Sequence, residues 1–169
     1  MAQEFDILIL GGGSAGYATA LRARQLDFSV GLIEKDKVGG TCLHTGCIPT
    51  KAYLHAAELA EDAREASKVG VNTELQSIEM GKVRNYKDGI VGGKFKGLSR
   101  LLKMKGVEVI NGEGKLTGKD TITVNGTEYK GKNIVLASGS VSKTFGLPIE
   151  GRVLTSTEAL EMDYLPNSA

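Results

Sequence analysis

The chain has two cysteines, Cys42 and Cys47, and both lie in "GGTCLHTGCIPTK" with four residues between them. Thiols this close can exchange with disulfides, hold a metal or sit inert in a core. Inside a cell ordinary thiols stay reduced, so a close pair there points to catalysis, metal binding or redox sensing. A zinc site wants four ligands, and only His44 and His55 remain to complete one. We therefore expect no metal, while two inert buried thiols remain the plain alternative. In a regular helix, residues five apart are separated by about 8.6 Å between Cα atoms, beyond the roughly 7 Å that a disulfide spans. Pairing Cys42 with Cys47 would thus require a break between them, for which Gly46 and Pro49 supply conformational freedom. A thiol at a helix start also meets the positive end of the helix dipole, which favours thiolate chemistry.

A second pattern precedes the cysteines. Gly11, Gly13 and Gly16 form G-x-G-x-x-G directly after the apolar run "FDILIL" and at the mouth of the alanine-rich "SAGYATALRARQL". The first glycine suits a tight turn, the second lets a pyrophosphate approach the backbone, and the third lets helix and strand pack closely. Amides at the helix start, around Ser14 and Ala15, would hold the diphosphate. Glu34 stands eighteen residues after Gly16 at the end of the next strand-like run, "FSVGLIE", where an acid binds ribose hydroxyls. Alone, the glycine motif is weak and Glu34 reads as an ordinary surface acid; together they predict a dinucleotide site, without choosing between NAD and FAD.

These residues need elements to carry them. Strand, glycine turn, helix and strand within about thirty residues form a βαβ unit with a parallel pair. The spacing predicts a helix over residues 14–26, with Ala18, Leu21 and Leu26 near helical spacing. A long amphipathic helix is predicted from Pro49 to about Ala66, with Tyr53, Ala56, Ala57 and Ala60 on its apolar face. Another is predicted from Met80 to Lys103, weakened by Gly89, Gly92 and Gly93. Lys94, Lys96, Arg100, Lys103 and Lys105 alternate with Phe95, Leu98, Leu101 and Leu102, as on a solvated face with an apolar underside rather than a nucleic-acid surface. "VEVING", "KLTG", "TITVNG" and "EYKGKNIVLASGS" read as short strands, with a hairpin at Asn125-Gly126 and a core strand over Asn133 to Ser138. The predicted fold class is α/β: a Rossmann-like domain with a mainly parallel sheet plus a small antiparallel β-meander. A short capped helix is expected near Ser156.

Bulk properties narrow the partners. The chain has 169 residues, 24% of them charged, and a net charge of +1, so no imbalance advertises nucleic acid or an anionic membrane. The start "MAQEFDILILGGG" lacks the positive charges of a secretory signal and its apolar run is too short to span a bilayer, so the expected location is cytoplasmic.

The cysteine stretch resembles the redox-active signature of the flavin disulfide reductases, the class I pyridine nucleotide-disulfide oxidoreductases. Leu43, Ile48 and Thr50 are most similar to the dihydrolipoamide dehydrogenase branch. The likeness runs from "DILILGGGSAGYATA" through "GEGKLTG" and "IVLASGS" to "TSTEAL". It implies bound FAD, with NAD as electron acceptor in the full-length enzyme. Cys42 would be the interchange thiol that meets dihydrolipoamide, Cys47 the charge-transfer thiol against the flavin, and Lys51 the lysine that approaches flavin N5. Lys35, Gly40 and Thr41 would line the cofactor with Gly11, Gly13, Ser14, Ala15, Gly16 and Glu34. Gly114 matches a backbone contact to the adenine end, and Ala137, Ser138 and Gly139 match the turn that closes on the cofactor, with Ser138 in place of the family's threonine.

His44 and Thr45 replace the commoner Asn-Val, and we read His44 as a packing or solvated side chain and His55 as a helix-face histidine. The resemblance further implies a homodimeric parent serving dihydrolipoyl groups of a 2-oxo acid dehydrogenase complex or glycine cleavage system. It divides the chain into an incomplete FAD-binding domain, residues 1–145, and a connection, 146–169, toward an NAD-binding domain. The sequence would then be an amino-terminal fragment, inactive alone. Sister enzymes of the glutathione, mycothione and mercuric reductase type, which use NADPH, and a non-enzymatic dinucleotide-binding module are the alternatives.

Overall fold

The structure, a computed structural model, describes residues 2–168. The chain divides into two compact units, Met1–Cys42 with Lys94–Val141, and Leu43–Gly93 with Ser142–Ala169. Among the described residues the first unit holds one six-stranded sheet in the order β3-β2-β1-β6-β5-β4. Its strands are β1 (Gln3–Leu10), β2 (Val30–Glu34), β3 (Glu108–Asn111), β4 (Gly114–Leu116), β5 (Thr121–Val124) and β6 (Thr127–Leu136). β1 pairs parallel with β2 and with β6, and β2 pairs parallel with β3. β4, β5 and the first half of β6 are antiparallel. The mixed sheet matches the predicted fold class.

Helix α1 (Ser14–Gln25) joins β1 to β2. Alternation in the strands aims Ile9 and Leu32 at one face of the sheet, where they pack with Ala20, Ala23 and Leu102, and aims Leu8 and Ile33 at the other. On that other face Ile122 and Val124 of β5 join Leu8, Ile33 and Ile110 in the second core cluster. Because β1 has β2 on one side and β6 on the other, the loop after its carboxyl end opens at a topological switch point, the usual ligand crevice of such sheets.

Several expectations shift. The "VEVING" strand belongs to the parallel half as β3, beside β2, since its apolar residues Val109 and Ile110 serve the two core faces. α1 buries Gly16, Ala20 and Ala23, while Ala18 and Leu26 are exposed; small residues face the sheet because the helix packs too closely for larger ones. The core strand begins at Thr127, earlier than expected, because the Asn125-Gly126 turn delivers it directly from β5. Both turn residues have positive φ, 49° and 81°, as a two-residue hairpin of this hand requires.

The second unit contains α3 (Cys47–Glu65), a 3₁₀ turn (Ala66–Val69) and α5 (Ser156–Ala159); α2 (Gly40–His44) and α4 (Met80–Met104) run across the chain boundaries of the units. α3 starts two residues before the predicted Pro49 and buries Pro49, Ala52 and Ala60, with Tyr53 and Ala56 half-buried; Ala57 is exposed. The three doubtful glycines do not interrupt α4, since a Cβ at any of them would meet open space and nothing forces the backbone out of helical geometry. α5 is capped as expected: Thr155 Oγ1 accepts from Thr157 N–H at 3.2 Å, and Thr155 N–H donates to Glu158 Oε2 at 2.8 Å.

Two outcomes are expected. Leu102→Ala, at a fully buried position, should cost about 2–5 kcal/mol in chemical denaturation. Asp6 accepts from Lys132 Nζ at 2.8 Å and from the Ser29 hydroxyl and amide at 2.7 and 2.8 Å, contacts that hold its carboxyl well below the usual range. A depressed folded-state value gives stability that is present above the unfolded carboxylate range, around 3.9, and lost as pH falls below it. Melting followed from pH 6 down to about 2 should therefore show a shallower acid limb in Asp6→Asn than in the parent.

Candidate functional site

The crevice at the end of β1 is built by backbone on backbone. Gly11 N–H donates to Ile33 O at 2.8 Å, and Ala137 N–H donates to Leu10 O at 2.8 Å, tying the ends of three parallel strands together. A Cβ on Gly11, whose φ is 106°, would collide with the Ala137 carbonyl, and a Cβ on Gly16 would collide with the carbonyl of Gly11. The turn over Ala137, Ser138 and Gly139 thus closes on the glycine loop, and α1 comes down against β1.

Gly13 differs from its neighbours. It caps α1 with φ −70°, and a Cβ there would have Gly40 Cα as its nearest neighbour at 3.8 Å. A Cβ at that distance makes an ordinary contact, so close packing does not require glycine here as it does at Gly11 and Gly16. Ser14 and Ala15 are exposed at the first turn, where helix amides have no intrahelical acceptor; Gly13 lacks a side chain to cap them.

Glu34 is fixed from two sides. Gly12 N–H donates to its Oε2 at 2.6 Å and Asp36 N–H to its Oε1 at 2.9 Å, which orients the carboxylate and leaves lone pairs for further donors. Lys35 and Thr41 are exposed, and Gly114 lies against Leu10, Ile33 and Ile122 at the same end of the sheet. Gly39 N–H donates to Gly12 O at 2.8 Å, and a Cβ on Gly40 would be 2.7 Å from Gly13 Cα. The chain leading into Cys42 is therefore fastened to the glycine loop. The sequence reading does not single out Gly12 and Gly39; the glycine triplet at 11–13 and the pair at 39–40 are the available signal.

Cys42 is half-buried on α2, which ends at His44; Cys47 is exposed at the first position of α3, and both are thiols. The regular helix breaks at Thr45-Gly46, which is the interruption that a Cys42–Cys47 bond would demand. Pro49 sits in the first turn of α3, where its missing N–H costs nothing. Lys51 follows Cys47 by one turn and is exposed on the same side of that helix. The structure thus brings Gly11, Gly13, Gly16, Glu34, Gly40, Gly114 and Ala137 together in the first unit, and carries Cys47 and Lys51 on one helix of the second.

The family model for pyridine nucleotide-disulphide oxidoreductases matches residues 5–169. The chain belongs to this family. Similar to it are the dihydrolipoyl dehydrogenases of Bacillus subtilis, 42% identical over 99% of the chain and 39% of that protein, and of Acholeplasma laidlawii, 37% identical over 99% of the chain and 52% of that protein. The Chlamydia pneumoniae dihydrolipoyl dehydrogenase is 36% identical over 98% of the chain and 37% of its own length. The chain thus spans about two-fifths to one-half of these curated relatives. Among the described residues, no helix is long and apolar enough to cross a membrane.

The glycine loop yields a paired test. Gly16→Ala should lower the melting temperature by more than about 5 °C, whereas Gly13→Ala should lower it by less than about 3 °C.

Proposed function

We propose that this chain is the FAD-binding part of a flavoprotein disulfide oxidoreductase that reoxidises dihydrolipoyl groups with NAD+. The observation that carries this reading is the fastening of the Gly39–Gly40 segment, two residues before Cys42, to the glycine loop. A dinucleotide loop and a redox thiol so joined are suited to a single cofactor. Family membership and the three dihydrolipoyl dehydrogenase relatives support the substrate class.

The cradle fits FAD. The close backbone at Gly13 and the first-turn amides of the exposed residues Ser14 and Ala15 suit the diphosphate, and the oriented carboxylate of Glu34 suits the adenosine ribose. Gly114 would contact the adenine end, and Lys35, Gly40, Thr41 and Ala137–Gly139 would complete the walls. When bound, FAD supplies a two-electron carrier between thiols and NAD.

The residues of the chain handle the sulfur chemistry. In the oxidised state Cys42 and Cys47 share a disulfide. A dihydrolipoyl thiolate attacks Cys42 Sγ, the Cys42–Cys47 bond breaks, and Cys47 leaves as thiolate. The second dihydrolipoyl thiolate then attacks the substrate sulfur of the mixed disulfide, closing the lipoyl ring and releasing Cys42. The substrate has lost two electrons and two protons, and the cysteine pair holds the electrons. Lys51, one turn beyond Cys47, would present its ammonium to the flavin edge. In this reading residues 1–145 form the FAD-binding part and 146–169 the connection toward an NAD-binding part. The parent works as a cytoplasmic homodimer with a 2-oxo acid dehydrogenase complex or the glycine cleavage system.

The visible spectrum of the purified chain, supplied with FAD and then with dihydrolipoamide, tests the reading. A flavin band that gains a long-wavelength shoulder is expected, and Cys42→Ser should abolish the response while Gly13→Ala should weaken flavin retention by roughly tenfold or more without unfolding the protein. Flavin that ignores dihydrolipoamide, with Cys42→Ser indistinguishable from the parent, would overturn the redox role and leave a dinucleotide-binding module. A response to glutathione but not to dihydrolipoamide would move the chain to the glutathione-reductase side of the family.

A further inference from the structure

The most deeply buried charge of the second unit lies outside every motif described above. Lys87, on α4, is 2% exposed. Its Nζ donates to Glu161 Oε1 at 2.9 Å and to the Leu160 carbonyl at 3.2 Å, and pairs with Asp88 Oδ1 at 2.9 Å. Burial opposes the charge, and the bonds to Asp88 and Glu161 outweigh it, holding the ammonium above the ordinary lysine range. Arg84 Nη2, one turn earlier on α4, takes the other oxygen of Glu161 at 3.0 Å.

Asp88 alone would neutralise Lys87. The ammonium instead reaches 74 residues along the chain, to a carboxylate and a backbone carbonyl at the end of α5. An apolar side chain would fill the same space but could not hold either oxygen. A carbonyl has two lone pairs, and Leu160 uses its second for the Tyr53 hydroxyl, which donates at 3.1 Å. Tyr53 is on α3, two residues after Lys51. His55 and Tyr86 join the same two helices, with ring centroids 6.2 Å apart. Donors from α3 and α4 therefore converge on one carbonyl, which the capping box at Thr155 and Glu158 keeps at the end of an ordered turn.

We propose that Lys87 is a positioning residue for α3: by holding Leu160 and Glu161 it gives Tyr53 a fixed acceptor, and so orders the helical turns that carry Cys47 and Lys51. The role rests on the dithiol function assigned above to Cys47. Lys87 acts through Leu160 and Tyr53.

Native-state hydrogen exchange of the 169-residue chain tests this independently of flavin or lipoamide. In Lys87→Met, amides over residues 50–57 and 156–162 should exchange about tenfold faster or more, while those of β1 and β6 keep parent rates. Lys87→Arg should recover at least part of the protection. Tyr53→Phe, which leaves no buried charge behind, should speed exchange in the same two segments, and the double variant should add little to either change. In a Cys42→Ser background, alkylation of Cys47 by iodoacetamide should slow about threefold with Lys87→Met, because thiol reactivity at a helix start depends on that turn being ordered. Acceleration spread evenly over β1, β6 and α3 would overturn the proposal, as would unchanged or faster alkylation. A failure of dithiol chemistry with these exchange results intact would count against the redox role alone.

Discussion

Backbone meets backbone around Gly11 with no room for a side chain, and the rest of the site follows from that contact. Gly16 lets α1 close onto the loop, Ala137 brings in the end of β6, and Gly12 locks the carboxylate of Glu34. Each approach is possible because its glycine lacks a Cβ, and each removes a degree of freedom from the loop. The result is a rigid rim of amides at the switch point of a mainly parallel sheet. Gly13 stands out within it because a Cβ there would meet its nearest neighbour, Gly40 Cα, only at 3.8 Å.

A similar economy governs the cysteine segment. Gly39 and Gly40 have φ of 112° and 57°, left-handed conformations that turn the chain from the glycine loop into α2. The helical path then stops at His44 and restarts at Cys47, so that two thiols five residues apart are released from the spacing of one helix. Pro49, buried in the first turn of α3, anchors the restart on the apolar side while Cys47 and Lys51 remain exposed.

Most of this site was legible in the sequence because it is local. G-x-G-x-x-G, the acid ending the second strand and the glycine before the second cysteine all act within a few residues of themselves. What escaped is what depends on distance or on degree. That α1 presents Ala20 and Ala23 instead of Ala18 and Leu26 depends on how closely the helix lies against the sheet, which periodicity does not report. The place of Glu108–Asn111 beside β2 depends on a pairing across more than seventy residues. Lys87 carries no local mark at all, since Leu160 and Glu161 become its partners through the fold alone. The cluster of Asp6, Ser29 and Lys132 was hidden for the same reason.

β6 is shared between two kinds of pairing that differ greatly in their range along the chain. Its antiparallel partner β5 is two residues away through the Asn125-Gly126 turn, while its parallel partner β1 lies more than 120 residues back. Local hairpins close in microseconds, whereas pairing across such a loop must first meet a much larger entropy cost. The β5–β6 ribbon is thus the local pairing of the strand, and the β1–β6 pairing bears the larger cost of loop closure. Leu10, at the end of β1, is hydrogen-bonded to Ala137 just beyond β6, so the shape of the candidate site hangs on the longest-range pairing of the sheet.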